Sequence, residues 1–170
     1  CPIKLSDYLS EIAVVDNGKC INRKTGRIIK AIVPMHTFGH VVDMDELNEV
    51  ANKYNIQVIE DAAEALGSLY KGKHAGTLSK IAAISFNGNK IITTGGGGAV
   101  ITNDDELAVK IKHLSTTARV NKGYNFSHDM IGYNYRLPNI NAALGCAQLE
   151  YLSDIIERKR KLAKQYKKAF

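Results

Sequence analysis

From residue 28 onward, apolar positions alternate between short continuous runs and stretches of helical period. The run IIKAIVPMH (28–36) has the continuous apolar character of a buried strand. MDELNEVANKYN (44–55) repeats Leu47, Val50, Ala51 and Tyr54 as a helix does, and Asp43 stands where an N-cap is needed. IQVIED (56–61) is a second short buried strand, so this unit predicts a parallel pair joined by a right-handed crossover. AAEALGSLYKGKHAG (62–76) reads as a short helical turn and then a turn at Lys71-Gly72. IAAISF (81–86) and GAVIT (98–102) are strand runs on either side of Lys90. Asp104 or Asp105 caps a helix through ELAVKIKHLS (106–115), and Pro138 suits the first turn of a helix carrying Ile140, Ala143, Leu144, Ala147 and Tyr151. Ala142, Ala143 and Leu144 are expected in the core. The segment 151–170 reads as an amphipathic helix with Ile155, Leu162, Tyr166 and Phe170 near helical spacing. Residues 1–26 are mixed, with turn signals at Asp16-Asn17-Gly18 and Lys24-Thr25-Gly26, and take no assignment. Alternating strands and helices predict an α/β fold whose sheet is covered on both faces.

Composition adds a few exclusions. A chain of 170 residues, 45% apolar and 24% charged, can bury the core of one domain. No run of eighteen apolar residues exists, and CPIKLSDYLS has neither the basic flank nor the apolar stretch of a signal peptide. The expected location is cytoplasmic, with no membrane partner. Cys1, Cys20 and Cys146 lack CxxC spacing, which suits reduced thiols better than a disulfide frame or a metal site. The net charge of +6 sits almost wholly in 151–170, where seven Lys/Arg face two acids. A solvated helix face accounts for it more simply than a polyanion-binding surface, so nucleic acid is not an expected partner. The opening at Cys1 and the helix stopping at Phe170 suggest a piece of something larger.

Candidate chemistry gathers where α/β sheets collect ligands, outside the carboxyl ends of the strands. Asp61 ends QVIED and Lys90 lies just beyond IAAISF. Alone, that spacing fits an ion pair as well as a site. Ser85 adds a hydroxyl, Asn87 and Asn89 add amides, and the glycines at 95–98 open backbone conformations closed to other residues, although neither GxxxxGK[ST] nor GxGxxG is present. Lysine, strand-terminal aspartate and serine together suggest a cofactor with an aldehyde, a ring nitrogen and a phosphate, which describes pyridoxal phosphate. Other polar residues are weighed as structural first. His36 and His40 fit local hydrogen bonding before site lining. His128 and Asp129 fit helix entry or an interface before a catalytic pair. Tyr133, Tyr135 and Arg136 suit packing and ligand contact about equally.

Three blocks, VIEDAAEALGSLYKGKHAGT, ISFNGNKIITTGGGGAVITND and IGYNYRLPNINAALGCAQLEYL, resemble in order the DegT/DnrJ-type aminotransferases, which use pyridoxal phosphate to aminate keto groups of nucleotide-linked sugars. The resemblance runs from about residue 30 to the end. It implies part of the large domain of a fold-type I pyridoxal phosphate-dependent transferase, three-layered with a mainly parallel mixed sheet, over 1–170. Within the family, the chain is most similar to the branch acting on UDP-linked 4-keto-6-deoxy-N-acetylhexosamines for surface polysaccharide or glycan biosynthesis. The resemblance makes Lys90 the Schiff-base lysine, Asp61 the partner of the pyridinium nitrogen and Ser85 a phosphate ligand. It makes Asn134 a residue reaching the cofactor phosphate in the neighbouring subunit of a homodimer, and places Glu64 where Gln or His often meets the cofactor's phenolic oxygen. Gly96 replaces a glutamate common in the wider family, and Lys90 separates this chain from relatives that carry histidine and dehydrate sugars. The implied reaction moves an amino group, from glutamate, to the keto sugar. Family chains are more than twice as long, with a phosphate-binding turn ahead and a small domain behind, so the alternative is a truncated, non-catalytic remnant that dimerises or binds phosphate weakly. A sheet lacking its first strands is expected to pair with a partner or to dissolve poorly.

Overall fold

The computed structural model describes residues 1–120, 124 and 126–170. They form two compact units, Cys1–Ile84 and Ser85–Phe170.

The first unit opens with helix α1 (Pro2–Ile12) and an antiparallel hairpin, β1 (Ala13–Asp16) with β2 (Lys19–Asn22). The turn signal at Asn17-Gly18 accounts for the hairpin: both residues have positive φ, 46° and 71°, the geometry that matches the twist of paired strands. Leu9, Ala13 and Cys20 are buried with Tyr54 and Ile56, so this previously unassigned stretch forms part of the core.

The long strand expected over 28–36 is cut down to β3 (Ala31–Ile32). Pro34 is the physical reason, because it has no N–H to continue the ladder. Beyond it, pairing resumes only as a bridge between Met35 and Asp61, and Ile28, Val33 and Met35 are exposed. Helix α2 (Met44–Tyr54) follows as expected: the Asp43 side chain accepts from Glu46 N–H at 3.2 Å, and Asn55 closes the helix in the left-handed conformation. Met44, Leu47, Ala51 and Tyr54 are its buried stripe. Strand β4 (Gln57–Asp61) pairs in parallel with β3, confirming the strand–helix–strand unit.

After β4 the expected helical turn is instead two successive tight turns, Ala62–Ala65 and Ala65–Ser68, ended by Gly67 at φ 88°. A short hairpin follows, β5 (Leu69–Tyr70) with β6 (Lys73–His74), turning at Lys71-Gly72 as the sequence suggests. Strand β7 (Ile81–Ser85) then pairs in parallel with β4, Asp61 standing opposite Ala83.

The second unit contains β8 (Gly98–Thr102), α3 (Asp105–Ser115), α4 (Asn139–Glu150) and α5 (Leu152–Ala169). Asp104 caps α3, accepting from Leu107 N–H at 2.9 Å. Pro138 takes the cap position just before α4, one residue earlier than a first-turn placement. In α4 the expected apolar core is not found: Ala143 and Leu144 are exposed and Ala142 half-buried. The inward stripe is Asn141, Gly145 and Gln148, at helical spacing, and its polar groups bond to backbone instead of packing on side chains. No helix among the described residues is long and apolar enough to cross a membrane.

Candidate functional site

In the first unit the chemistry centres on the end of β4. Glu60 and Asp61 are consecutive, so their side chains take opposite faces of the sheet. Glu60 is completely buried. Its Oε2 accepts from Gly76 N–H at 2.7 Å and lies 3.0 Å from His36 Nε2; its Oε1 accepts from Leu78 N–H and Ser79 N–H at 2.7 Å and from Ser79 O–H at 2.9 Å. Burial alone would raise the Glu60 carboxyl, but the bonds from His36, Gly76, Ser79 and Leu78 outweigh it and hold the group below the ordinary glutamate range. Val42 N–H donates to His36 Nδ1 at 3.3 Å, so His36 offers its proton from Nε2 to Glu60. His36 thus serves local structure, as the sequence favours. Glu60 itself was not singled out from sequence; its signal is an acid on the inward register of an apolar strand, which must find donors.

Asp61 is half-buried at the strand end, and its Oδ1 accepts from Ala63 N–H at 3.1 Å. Its backbone is held on both sides, donating to Pro34 O at 2.9 Å and accepting from His36 N–H at 3.0 Å. Glu64, in the following turn, accepts from Phe38 N–H at 2.7 Å. The structure therefore brings Asp61 and Glu64 into one turn, with the carboxylate of Glu64 engaged by the neighbouring 36–40 loop.

In the second unit, Ser85 ends β7 and accepts from Asn87 N–H at 3.3 Å. Lys90 closes the next turn, its N–H donating to Asn87 O at 3.0 Å, and it is half-buried. The loop carrying it is tied shut behind. Phe86 N–H reaches Gly97 O at 2.9 Å and Thr94 N–H reaches Phe86 O at 3.0 Å. Gln148 clamps Thr93 from both directions: its Oε1 accepts from Thr93 N–H at 2.9 Å, and its Nε2 donates to Thr93 O at 2.8 Å. Asn141 holds Thr94 O. The glycine run now has a local reason. Gly95 and Gly97 have φ of 80° and 93°, and a Cβ at Gly97 would fall 2.6 Å from Leu137 Cδ1, whereas Gly96 faces open space. Lysine and glycines are one device, an excursion holding an amine between fixed ends.

Asn134 lies in another part of the same unit, bridged antiparallel to Thr116 at the end of α3, with an exposed side chain. Its neighbours Tyr133 and Tyr135 stack, ring centroids 5.1 Å apart. His128 and Asp129 do not pair with each other: His128 Nδ1 bonds Thr117 O at 2.7 Å, and Asp129 Oδ1 lies 2.7 Å from His113 Nε2. These contacts tie His128, Asp129 and Asn134 to the end of α3 and to Thr116 and Thr117 beyond it.

The first unit thus offers an aspartate, half-buried at a parallel strand end, and the second a half-buried lysine on a fixed loop and a strand-terminal serine; these are the kinds of group that suit a ring nitrogen, an aldehyde and a phosphate respectively, and no group of three or more His, Cys, Asp or Glu suited to a metal occurs among the described residues. Residues 8–170 match the family described as DegT/DnrJ/EryC1/StrS aminotransferases. The chain is 48% identical over 159 residues to the GDP-perosamine synthase of Escherichia coli O157:H7, covering 93% of this chain and 42% of that one. It is 43% identical over 149 residues to a UDP-4-amino-4,6-dideoxy-N-acetyl-beta-L-altrosamine transaminase of Campylobacter jejuni, covering 86% and 39%. Among solved structures, the sugar aminotransferase Spr1654 of Streptococcus pneumoniae in its PLP form superposes with a TM-score of 0.75 at 26% identity, over 83% of this chain and 41% of that one. The chain thus spans about two-fifths of the length of the relatives it matches.

Proposed function

The chain belongs to the DegT/DnrJ/EryC1/StrS aminotransferase family, and from that premise we propose that it supplies the lysine-bearing part of a pyridoxal phosphate-dependent aminotransferase acting on a nucleotide-linked keto sugar. Its α/β fold is that of the fold-type I transferases. The observation that carries the reading is the Lys90 loop, whose ends are fixed by Gly97 and Gln148 so that the amine is presented from a constrained backbone. When bound, pyridoxal phosphate supplies an electron sink for a substrate carbon that loses its proton.

Each residue has a role in this proposal. Lys90 would hold the cofactor through its amine and, once freed, would take the proton from the reacting substrate carbon and pass it to the cofactor's aldehyde carbon, or the reverse. Asp61 keeps a proton on the cofactor's ring nitrogen, because a nearby negative charge favours the charged form of a base. Ser85 would donate a hydrogen bond from its hydroxyl to the phosphate, and Asn134 would reach the phosphate in a second copy of the chain. Glu64 holds the 36–40 loop through Phe38 N–H and needs a proton or a water to face a phenolic oxygen. The amino donor in this reading is glutamate, the location cytoplasmic, and the finer substrate assignment a UDP-linked 4-keto-6-deoxy-N-acetylhexosamine.

The test is amination of keto sugars by the pyridoxal phosphate-loaded protein with glutamate as donor, comparing UDP- and GDP-linked 4-keto-6-deoxy substrates. Turnover with the UDP-linked sugar, abolished in Lys90→Ala, supports the full proposal. Preference for the GDP-linked sugar removes the finer assignment, and no glutamate consumption in any combination removes the activity.

A further inference from the structure

Phe38 stands almost fully exposed in the 36–40 loop, on a backbone that is not relaxed. It sits at φ 52° and ψ 27°, a left-handed conformation uncommon for a bulky residue, with 91% of its surface open. The loop does not drift into this state; it is held there from three sides. Phe38 N–H is bound to Glu64 Oε2 at 2.7 Å. Before it, the buried His36 ring is fixed between Glu60 and Val42, and His36 N–H is bound to Asp61 O at 3.0 Å. After it, Gly39 has φ 78°, and a Cβ there would come within 2.9 Å of Ser68 Oγ and 3.0 Å of Glu64 O. An aromatic ring is therefore pushed outward from an anchored loop at the carboxyl ends of the parallel strands. Backbone strain sustained by its surroundings is a recognised mark of functional positions.

We propose that the Phe38 ring packs against the apolar C–H face and deoxy-methyl edge of the keto sugar and helps to decide which sugar is accepted. This rests on the nucleotide-sugar aminotransferase reading above. Phe38 is two residues from the one bonded to Asp61, a chain reach of at most about 8 Å. Phe38 N–H is itself bound to Glu64, which that reading places beside the phenolic oxygen, on the cofactor carbon adjacent to the one where the sugar reacts. A phenyl face carries no hydrogen-bonding group; its negative π-surface meets weakly positive C–H bonds and methyl groups. It therefore favours a 6-deoxy sugar over its 6-hydroxy analogue, which would have to bring a hydroxyl against the ring without a partner.

The test uses the pyridoxal phosphate-loaded protein with Phe38→Ala and Phe38→Gly, the latter relieving the left-handed backbone and guarding against a folding artefact. Both are expected to keep the wild-type pattern of borohydride-fixed label on Lys90 and an unchanged rate with glutamate alone. Both are expected to raise KM for the 6-deoxy keto sugar roughly tenfold, to weaken calorimetric binding of the aminated sugar nucleotide to match, and to lose preference over the 6-hydroxy analogue. An unchanged KM and sugar preference, with Lys90 still labelled, overturns the inference alone. Loss of Lys90 labelling in the variants also overturns it, since Phe38 then serves the cofactor. Absence of the label in the wild-type protein overturns the underlying reading and this inference with it.

Discussion

Gly96 and Gly97 stand side by side in the glycine run, yet a side chain would meet open space at the first and Leu137 at 2.6 Å at the second, where φ is also 93°. Gly97→Ala is therefore expected to cost about 1–3 kcal/mol, from backbone strain and overpacking, and Gly96→Ala close to nothing. Thermal melts of the two variants check the contrast, and equal melting temperatures would show that the loop yields at Gly97. The same loop shows what single residues reveal in sequence. Lys90, Asp61 and Ser85 stand out as candidates because each is a reactive group at or just beyond the end of an apolar run. Gln148 and Asn141 do not, since an amide inside an ordinary helix gives no sign that it is spent on the backbone of a loop 55 or 47 residues away. Gln148→Ala removes both bonds to Thr93 and is expected to destabilise by roughly 1–2 kcal/mol. Chemical denaturation reads this directly, and a loss below a few tenths would mean that the clamp carries no strain from the loop.

Among elements, β4 decides most about the site. One of its faces carries Asp61; the other buries Glu60, which gathers the 76–79 segment and His36 and so fixes what flanks the strand on both sides. Glu60→Gln would turn an amide N–H toward backbone N–H groups and is expected to cost roughly 2–4 kcal/mol. The pH dependence follows from the direction of the shift. Because hydrogen bonding holds the folded carboxyl below its ordinary value of 4.5 despite burial, Glu60 stabilises fully above that value. The contribution is lost as pH falls from there through the lower folded value. Urea midpoints of wild type and Glu60→Gln should accordingly converge on acidification below pH 4.5, and a gap constant with pH would contradict the assignment. Element prediction from pattern succeeded for α2 and β4, where cap, period and run agree. It overextended at 28–36, where Pro34 interrupts the ladder, and it chose the wrong face of α4, where the inward stripe is amide and glycine instead of apolar.

For the molecule, exposed aliphatic and aromatic residues in the second unit include Ile131, Tyr133, Tyr135, Ile140 and Tyr151, each more than half accessible. Apolar exposure of this kind marks interaction surface, and the proposed homodimer gives it an occupant. Sedimentation velocity at micromolar concentration should show a dimer. Asn134→Ala should weaken pyridoxal phosphate binding several-fold while leaving that dimer intact, because the exposed amide is assigned to the neighbour's phosphate and not to the contact itself; unchanged cofactor affinity would remove the role. The family was legible from three ordered blocks, whereas the anchored state of Phe38 and the buried bonds of Glu60 depend on contacts that no local pattern encodes. The proposed chemistry turns on Lys90. Its most direct test is borohydride reduction of the protein after incubation with pyridoxal phosphate, followed by peptide mass spectrometry with Lys90→Ala as control. A phosphopyridoxyl group concentrated on Lys90 and lost in the variant is the expected result, and labelling that is absent or scattered over the lysines of the basic helix α5 would contradict it.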